Sequence, residues 1–197
     1  MEAYQQIVLM AASRLLSYPT REDLRDVQVM VETMEGPEAV KRTARDAAAS
    51  ICRMPLHDLQ ELYVETFDMN EKLSLYLSAH EFGDSPKRGA ALIKLQKTVS
   101  QAGYERVGKE LADYIPMLYE LIAVTSDEIN HERLLSRLGA VTQRIFNQVP
   151  ETSPYHLVFS MLMQEVFETP SQSDLEKMEQ EREEADLEEL PYPIMYG

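Results

Sequence analysis

No stretch of this chain alternates apolar and polar residues over the length of a strand, and this feature constrains the fold more than any other. Apolar residues instead recur three and four positions apart, the spacing that places them on one face of a helix. Two such faces are Leu56, Leu59, Tyr63 and Phe67, and Leu134, Leu138, Val141 and Ile145. With only 7 glycines to interrupt this pattern, the sequence predicts an all-α protein without a sheet.

Proline and glycine divide the helical pattern into pieces that predict a single compact domain of about seven to nine helices over residues 1–170. Residues 73–79 and 110–124 are predicted to be helical or nearly so. Pro116 either kinks the second of these helices or marks its first turn. Residues 171–197 form an acidic C-terminal tail that ends in a proline-rich stretch, and its composition suits a solvated helix or a partly disordered segment.

Polar residues mark predicted helix starts, and Ser85 before Pro86 is one of them. Thr20 stands three residues before Asp23, and Thr125 stands three residues before Glu128, which is the spacing of a capping box. Ser153 precedes a proline, which suits a serine cap followed by proline in the first turn.

The charge balance limits the classes of partner. The chain has 34 acidic and 19 basic residues, a formal net charge of -15. Binding to nucleic acid or to an anionic membrane draws on Lys and Arg, so this balance argues against both. A basic partner segment would be attracted, and the alternative is that the acidity only keeps the protein soluble.

Several features predict a cytoplasmic protein with no direct membrane insertion. Cys52 is the only cysteine, which excludes an intramolecular disulfide and suits a reducing compartment. The first residues lack the basic start of a signal peptide. No apolar run approaches the roughly 20 residues of a membrane helix.

Motifs for catalysis, metals and cofactors are missing from the sequence. His80 and Glu81 begin like a zinc-protease helix, but Asp84 stands where the second histidine is needed, and His131 fails in the same way at Leu135. No dinucleotide fingerprint or nucleophile elbow occurs. We therefore expect no enzyme, no catalytic residue, no metal and no cofactor.

Two other classes of function remain open at this stage. A nucleotide-binding hydrolase would use the loop between Gly83 and Gly89, although its spacing and the missing Gly-Lys-Ser or Gly-Lys-Thr depart from a phosphate loop. A plain helical scaffold would bind a basic protein through its acidic tail.

The densest cluster of unusual residues is the run YVETFDMNEKLSLYLSAHEFGDSPKR at positions 63–88. Tyr63 and Phe67 have the spacing of core aromatics, whereas the polar stretch from His80 to Arg88 lies at a break between helices, where function is often found. Asp84 or Ser85 alternatively serves only to cap the following helix.

The run YVETFD, followed by LYLSAHEFGDSPKRGAALIKL, resembles the signature region of the nitrate reductase delta-chain family. The run DYIPMLYEL at positions 113–121 is similar to a second pattern of that family, with Tyr114 at a position where the wider superfamily often has histidine. Order, spacing and chain length agree with the family from the first helix to Phe167. These proteins are assembly chaperones for the molybdenum cofactor of respiratory nitrate reductase, within the TorD-like redox-enzyme maturation chaperones.

The resemblance implies an all-α TorD-like fold without catalytic turnover. It implies binding to the apo catalytic alpha subunit of nitrate reductase, including its N-terminal leader segment, and adds molybdenum-cofactor biosynthesis proteins as further candidate partners. The chaperone would hold the subunit ready for cofactor and iron-sulfur insertion before membrane docking, and would not remain in the finished enzyme. The alternative is a sister chaperone serving a sulfoxide or N-oxide reductase.

A partner-peptide site is predicted from the same runs. An amphipathic leader helix suits an apolar groove with an acidic rim. The predicted groove residues are Tyr63, Phe67, Tyr76, Leu77, Pro116, Met117 and Tyr119. The predicted rim residues are Asp113 and Glu120, and those of the adjoining loop are His80, Glu81, Asp84 and Arg88.

Overall fold

The computed structural model of the protein describes residues 1–83, 85, 87–104, 110–125 and 131–168, and these residues form an all-α domain. The first helices are α1 (Ala3–Leu15), α2 (Arg21–Thr33), α3 (Glu38–Cys52) and α4 (Leu56–Tyr63). A π-helical turn (Val64–Asp68) and a 3-10 turn (Glu71–Leu73) follow α4. The remaining helices are α5 (Leu77–Phe82), α6 (Lys87–Gln101), α7 (Ile115–Val124), α8 (His131–Phe146) and α9 (Pro154–Glu165). The predicted fold class is confirmed.

Local polar signals start two of the helices as predicted. The Thr20 hydroxyl accepts a hydrogen bond of 3.1 Å from the backbone N–H of Asp23 at the start of α2. The Ser153 hydroxyl accepts one of 3.3 Å from the N–H of Tyr155 at the start of α9. Each bond satisfies an amide that has no partner inside its own helix, so the sequence alone specifies these boundaries.

The core forms around α1, which packs against α7, α2 and α9, while α9 also packs against α3 and α8. Residues of α1 that face these neighbours, such as Val8 and Leu9, have no exposed surface. Burying a side chain of this size contributes about 1.5–3 kcal/mol. The predicted stripe on α8 is also buried, with Leu138 and Ile145 wholly enclosed.

The helices predicted over residues 73–79 and 110–124 are found only in the later part of each range. The backbone of Tyr76 is extended, and α5 begins only at Leu77. Likewise α7 begins at Ile115, with Pro116 in its first turn, which was one of the two alternatives for that proline. The reason is tertiary, because Tyr76 and Tyr114 form an antiparallel backbone bridge that neither segment makes alone.

Thr125 ends α7, and its hydroxyl donates a hydrogen bond of 2.7 Å back to the carbonyl oxygen of Leu121. The predicted capping box of Thr125 with Glu128 stays a prediction, because Glu128 lies outside the described residues. Residues 126–130, Asp84 and the tail at 171–197 lie outside the described residues, so the boundary near residue 170 stays a prediction. Among the helices that the structure describes, none is long and apolar enough to cross a bilayer.

Candidate functional site

The backbone bridge between Tyr76 and Tyr114 joins the run at positions 63–88 to the run at positions 113–121. The N–H of Leu77 donates to the carbonyl oxygen of Asp113 at 2.9 Å. The N–H of Ile115 donates to the carbonyl of the residue before Tyr76 at 2.8 Å. We call these paired segments, residues 75–78 and 113–115, the strap. The strap places α5 beside the start of α7.

The buried side chain of Asp113 links the two segments of the strap through hydrogen bonds. Its side chain has no exposed surface, and its Oδ2 accepts hydrogen bonds from the Ser78 N–H, at 3.1 Å, and from the Ser78 hydroxyl. Arg88 Nε in α6 donates to the same hydroxyl oxygen at 3.0 Å. Through Ser78, Asp113 therefore connects the strap to both α5 and α6. The sequence predicted Asp113 at the exposed rim of a groove, whereas the structure buries it.

Two tyrosine hydroxyls extend the strap towards α1 and α4. Tyr114 OH donates to the carbonyl oxygen of Leu16 at 3.3 Å and lies 2.9 Å from Tyr63 OH. Because the single Tyr114 proton points to Leu16, Tyr63 is the donor in the pair. Burial raises the pKa of Tyr114 to about 12 and also raises the pKa of Tyr63, so both hydroxyls stay neutral at physiological pH.

The motif VETFD forms the π-helical turn, a feature that often occurs at functional sites. It directs the Phe67 ring into the core, 5.2 Å from the ring of Tyr63 and 4.7 Å from that of Tyr155. It also places Asp68 at the surface, followed by Met69, which is 78% exposed. The turn therefore combines a buried anchor with an accessible acidic and apolar end.

Tyr76 keeps some exposed surface and contacts one of several exposed acidic and apolar residues. Tyr76 OH donates to Glu110 Oε2 at 2.5 Å. Burial raises the pKa of Asp68, and the negative charge of Glu110 raises it further. Leu111, beside Glu110, is 44% exposed. We call Asp68, Met69, Tyr76, Glu110 and Leu111 the Tyr76 surface.

Sequence reasoning found only Tyr76 among these five residues. Asp68 and Met69 lie within the unusual run at positions 63–88, but nothing local marks them as accessible. Glu110 and Leu111 were assigned to a helix that the structure does not form there.

The predicted groove residues on α7 separate onto two faces. Tyr119 has no exposed surface, and its hydroxyl lies 2.5 Å from Thr142 Oγ1 of α8. Pro116 is buried beside it in the first turn. Met117 and Glu120 are partly exposed on another face, and a Glu120 oxygen lies 3.7 Å from a guanidinium nitrogen of Arg14.

The polar residues of α5 hold this short helix against α8. Glu81 accepts two hydrogen bonds of 2.7 Å from Arg137, one from Nε and one from Nη2. His80 Nε2 lies 2.7 Å from the Ser74 carbonyl oxygen, and burial lowers the pKa of His80. Arg144 Nη1 donates to the His80 carbonyl at 3.1 Å. These contacts shape the site without exposing a catalytic group.

The predicted site residues thus fall into two groups. Those buried in the structure are Tyr63, Phe67, Leu77, Asp113, Pro116 and Tyr119. Those that keep some exposed surface are Tyr76, His80, Glu81, Arg88, Met117 and Glu120. A partner reaches only the second group without moving the backbone. The groove assignment as a whole stays a prediction.

Chemistry other than binding finds little support at this site. No group of three or more His, Cys, Asp or Glu side chains within the described ranges is arranged to hold a metal ion. Gly89 lies inside α6, which begins at Lys87, so a helix occupies part of the segment that the nucleotide hypothesis needs as a loop.

Comparison with known proteins identifies the family. The model of the family described as nitrate reductase delta subunit matches residues 34–150. The probable nitrate reductase molybdenum cofactor assembly chaperone NarJ of Bacillus subtilis is 30% identical over 147 residues, covering 72% of this chain and 79% of the relative.

Two relatives from Escherichia coli K12 agree with this match. The nitrate reductase molybdenum cofactor assembly chaperone NarJ is 31% identical over 121 residues, which cover 59% of this chain and 51% of the relative. The probable chaperone NarW is 28% identical over 119 residues, 60% of this chain and 52% of the relative. The matched region thus spans about half of these two proteins. Since the relatives are assembly chaperones rather than catalysts, the prediction of a non-enzyme is confirmed, and the chain belongs to the nitrate reductase delta-subunit family.

Proposed function

We propose that this protein is a system-specific chaperone that binds the apo catalytic alpha subunit of respiratory nitrate reductase, including its N-terminal leader segment. It keeps that subunit competent for molybdenum-cofactor and iron-sulfur insertion before membrane docking, and then leaves it. The proposal places the protein in the cytoplasm, with molybdenum-cofactor biosynthesis proteins as further partners. Its support is membership of a family whose relatives are named as assembly chaperones for this cofactor.

One structural observation carries the leader-binding part of the proposal, namely the Tyr76 surface. A basic amphipathic segment needs apolar contacts for affinity and carboxylates for orientation. Met69 and Leu111 offer exposed apolar area, Glu110 offers negative charge at the Tyr76 hydroxyl, and Asp68 adds a second carboxylate close to Glu110. The ring supplies a rigid anchor of the kind that dominates binding energy at interfaces.

The electrostatics of this surface favour a cation from the partner. Burial and the negative charge of Glu110 both oppose ionisation of Asp68 and raise its pKa. A Lys or Arg placed between the two carboxylates relieves this repulsion, because opposite charges at short range favour the ionised form. The net charge of -15 steers such a segment towards the protein over longer distances.

The test is calorimetric titration of the full chain with a peptide of the alpha-subunit N-terminus. A scrambled peptide and a leader from a sulfoxide reductase serve as controls. The proposal predicts selective submicromolar binding, corresponding to about 8 kcal/mol or more. No binding to any leader would refute leader recognition, whereas preference for the sulfoxide reductase leader would support the sister-chaperone alternative.

Variants then locate the interface. Replacing Tyr76 with Ala should weaken binding by about 2 kcal/mol, roughly thirty-fold, if the ring is a central anchor. Asp68→Asn removes one carboxylate of the Tyr76 surface. Asp26→Asn is its matched control, because Asp26 is an exposed aspartate on α2. Equal losses in the two Asn variants would show that overall charge, and not this surface, determines affinity.

A further inference from the structure

A basic face runs along α6 in an otherwise acidic protein. Residues 87–101 contain Lys87, Arg88, Lys94 and Lys97 and no acidic residue, although the whole chain carries a net charge of -15. Ala91, Leu95 and Val99 face inwards and are buried. The three lysines and Ile93 are exposed, and Ile93 keeps 70% of its surface open to solvent.

Helix geometry gathers these exposed side chains together. Lys94 and Lys97 are three residues apart and therefore neighbours, and Lys87 lies two turns before Lys94 on the same side. Within the described part of the chain, no carboxylate oxygen lies within 4.0 Å of a lysine ammonium of α6. The surface is therefore a cationic stripe beside an exposed isoleucine, which we call the α6 face.

The chain itself contains a segment of matching chemistry. Residues 174–189 include nine acidic side chains against Lys177 and Arg182, the densest negative charge in the sequence. The same segment carries apolar residues such as Leu175 and Leu187, which can cover Ile93. Opposite charge and a shared apolar component make this segment a suitable occupant of the α6 face.

The described chain ends in a position from which the segment can reach α6. Phe167 lies against α8, where a Cβ added to Gly139 would stand 3.3 Å from its ring. From Glu168, the residues up to 189 span as much as about 70 Å when extended. A compact domain of this size has a radius of gyration of only about 15 Å, so every part of its surface is within reach.

We infer that the acidic segment 174–189 docks on the α6 face of its own chain. Covalent attachment places the segment near α6 at an effective concentration of the order of millimolar, so weak individual ion pairs suffice. Arg88, at the start of α6, contacts Ser78 of the strap. Docking therefore neutralises lysines of the helix that Arg88 joins to the strap.

A spin label in the tail tests this inference without any leader peptide. Cys52→Ser removes the native thiol while keeping a donor for the Leu24 carbonyl, and Ala185→Cys receives the label. Isoleucine methyl resonances of the full chain are then compared with the label oxidised and reduced. We expect a several-fold selective loss of the Ile93 signal, with the buried Ile51 of α3 as the reference.

Charge variants and salt decide whether the predicted contact causes that loss. The signal should recover with Lys94→Gln and Lys97→Gln together, and also at about 1 M salt, where the Debye length is about 3 Å. The matched control, Lys72→Gln with Arg42→Gln, removes two exposed cations elsewhere and should leave the loss intact.

Three outcomes would overturn the inference. They are an Ile93 signal affected no more than that of Ile51, a loss that persists in the α6 variant, and a loss seen only when labelled and isotope-enriched chains are mixed. The last would show contact between molecules. None of these results depends on leader binding, so failure here and failure of the proposed chaperone function are distinguishable.

Discussion

Removing the Asp113 carboxylate should loosen the strap and destabilise the whole domain. Asp113→Ala deletes the acceptor of the Ser78 backbone N–H and of the Ser78 hydroxyl, both buried. A buried N–H left without a partner costs about 1–3 kcal/mol, and each lost bond to a charged group is worth about 1.5–3 kcal/mol.

The net magnitude is smaller than the sum of these values. Oδ1 of Asp113 is buried without a hydrogen-bond donor among the described residues, so burying this oxygen already costs desolvation energy that alanine recovers. We therefore expect Asp113→Ala to lower the free energy of unfolding by about 3 kcal/mol. For a chain of this length that corresponds to a fall in Tm of about 6–12 °C.

Urea unfolding followed by far-ultraviolet circular dichroism measures this change in an all-helical protein without tryptophan. Ser78→Ala is the companion variant, because it removes the hydroxyl but keeps the backbone N–H. The double variant should be less destabilised than the sum of the single variants by about 1 kcal/mol, since both lose the same bond. Additive effects, or an Asp113→Ala variant within about 0.5 kcal/mol of the parent, would refute the structural role assigned to the carboxylate.

Three further predictions follow from contacts in the site. Tyr119→Phe removes the bond to Thr142 and should cost about 1 kcal/mol in urea unfolding; leader affinity should not change, whereas weaker binding at unchanged stability would return Tyr119 to the groove. Glu81→Gln should cost about 1–2 kcal/mol through its paired bonds to Arg137, and an unchanged melting temperature would contradict this. The raised pKa of Asp68 should fall when a partner cation binds, so leader affinity should rise with pH through its titration range. Titrations at several pH values test this, and Asp68→Asn should abolish the pH dependence.

Comparing the stability of each variant with its leader affinity connects these predictions to the proposed function. Substitutions of buried strap residues should mainly lower the free energy of unfolding. Substitutions in the Tyr76 surface should mainly weaken leader binding. A protein whose binding and stability always fell together would have its partner site in the buried network instead. Measuring both quantities for each variant therefore separates a binding residue from one that only supports the fold.

The sequence by itself determined the class of fold and the family. Helical periodicity and capping depend on residues three or four positions apart, so the start of α2 at Thr20 and the start of α9 at Ser153 followed from local chemistry. The runs at 63–88 and 113–121 carried the family resemblance because they are contiguous in sequence. The same runs contain most of the residues that meet at the strap.

Only the tertiary structure decided which of those side chains remain accessible. Periodicity places Tyr119 and Met117 on different sides of α7, but only packing against α8 shows that Tyr119 is enclosed. An acidic residue such as Asp113 is expected at the solvent-exposed rim of a site. It is buried instead, hydrogen-bonded to Ser78, which lies 35 positions earlier. Tyr76 and Tyr114 are likewise not helical because of a contact between distant segments. Their backbone bridge provides hydrogen-bond partners for N–H and C=O groups that a helix would otherwise pair locally.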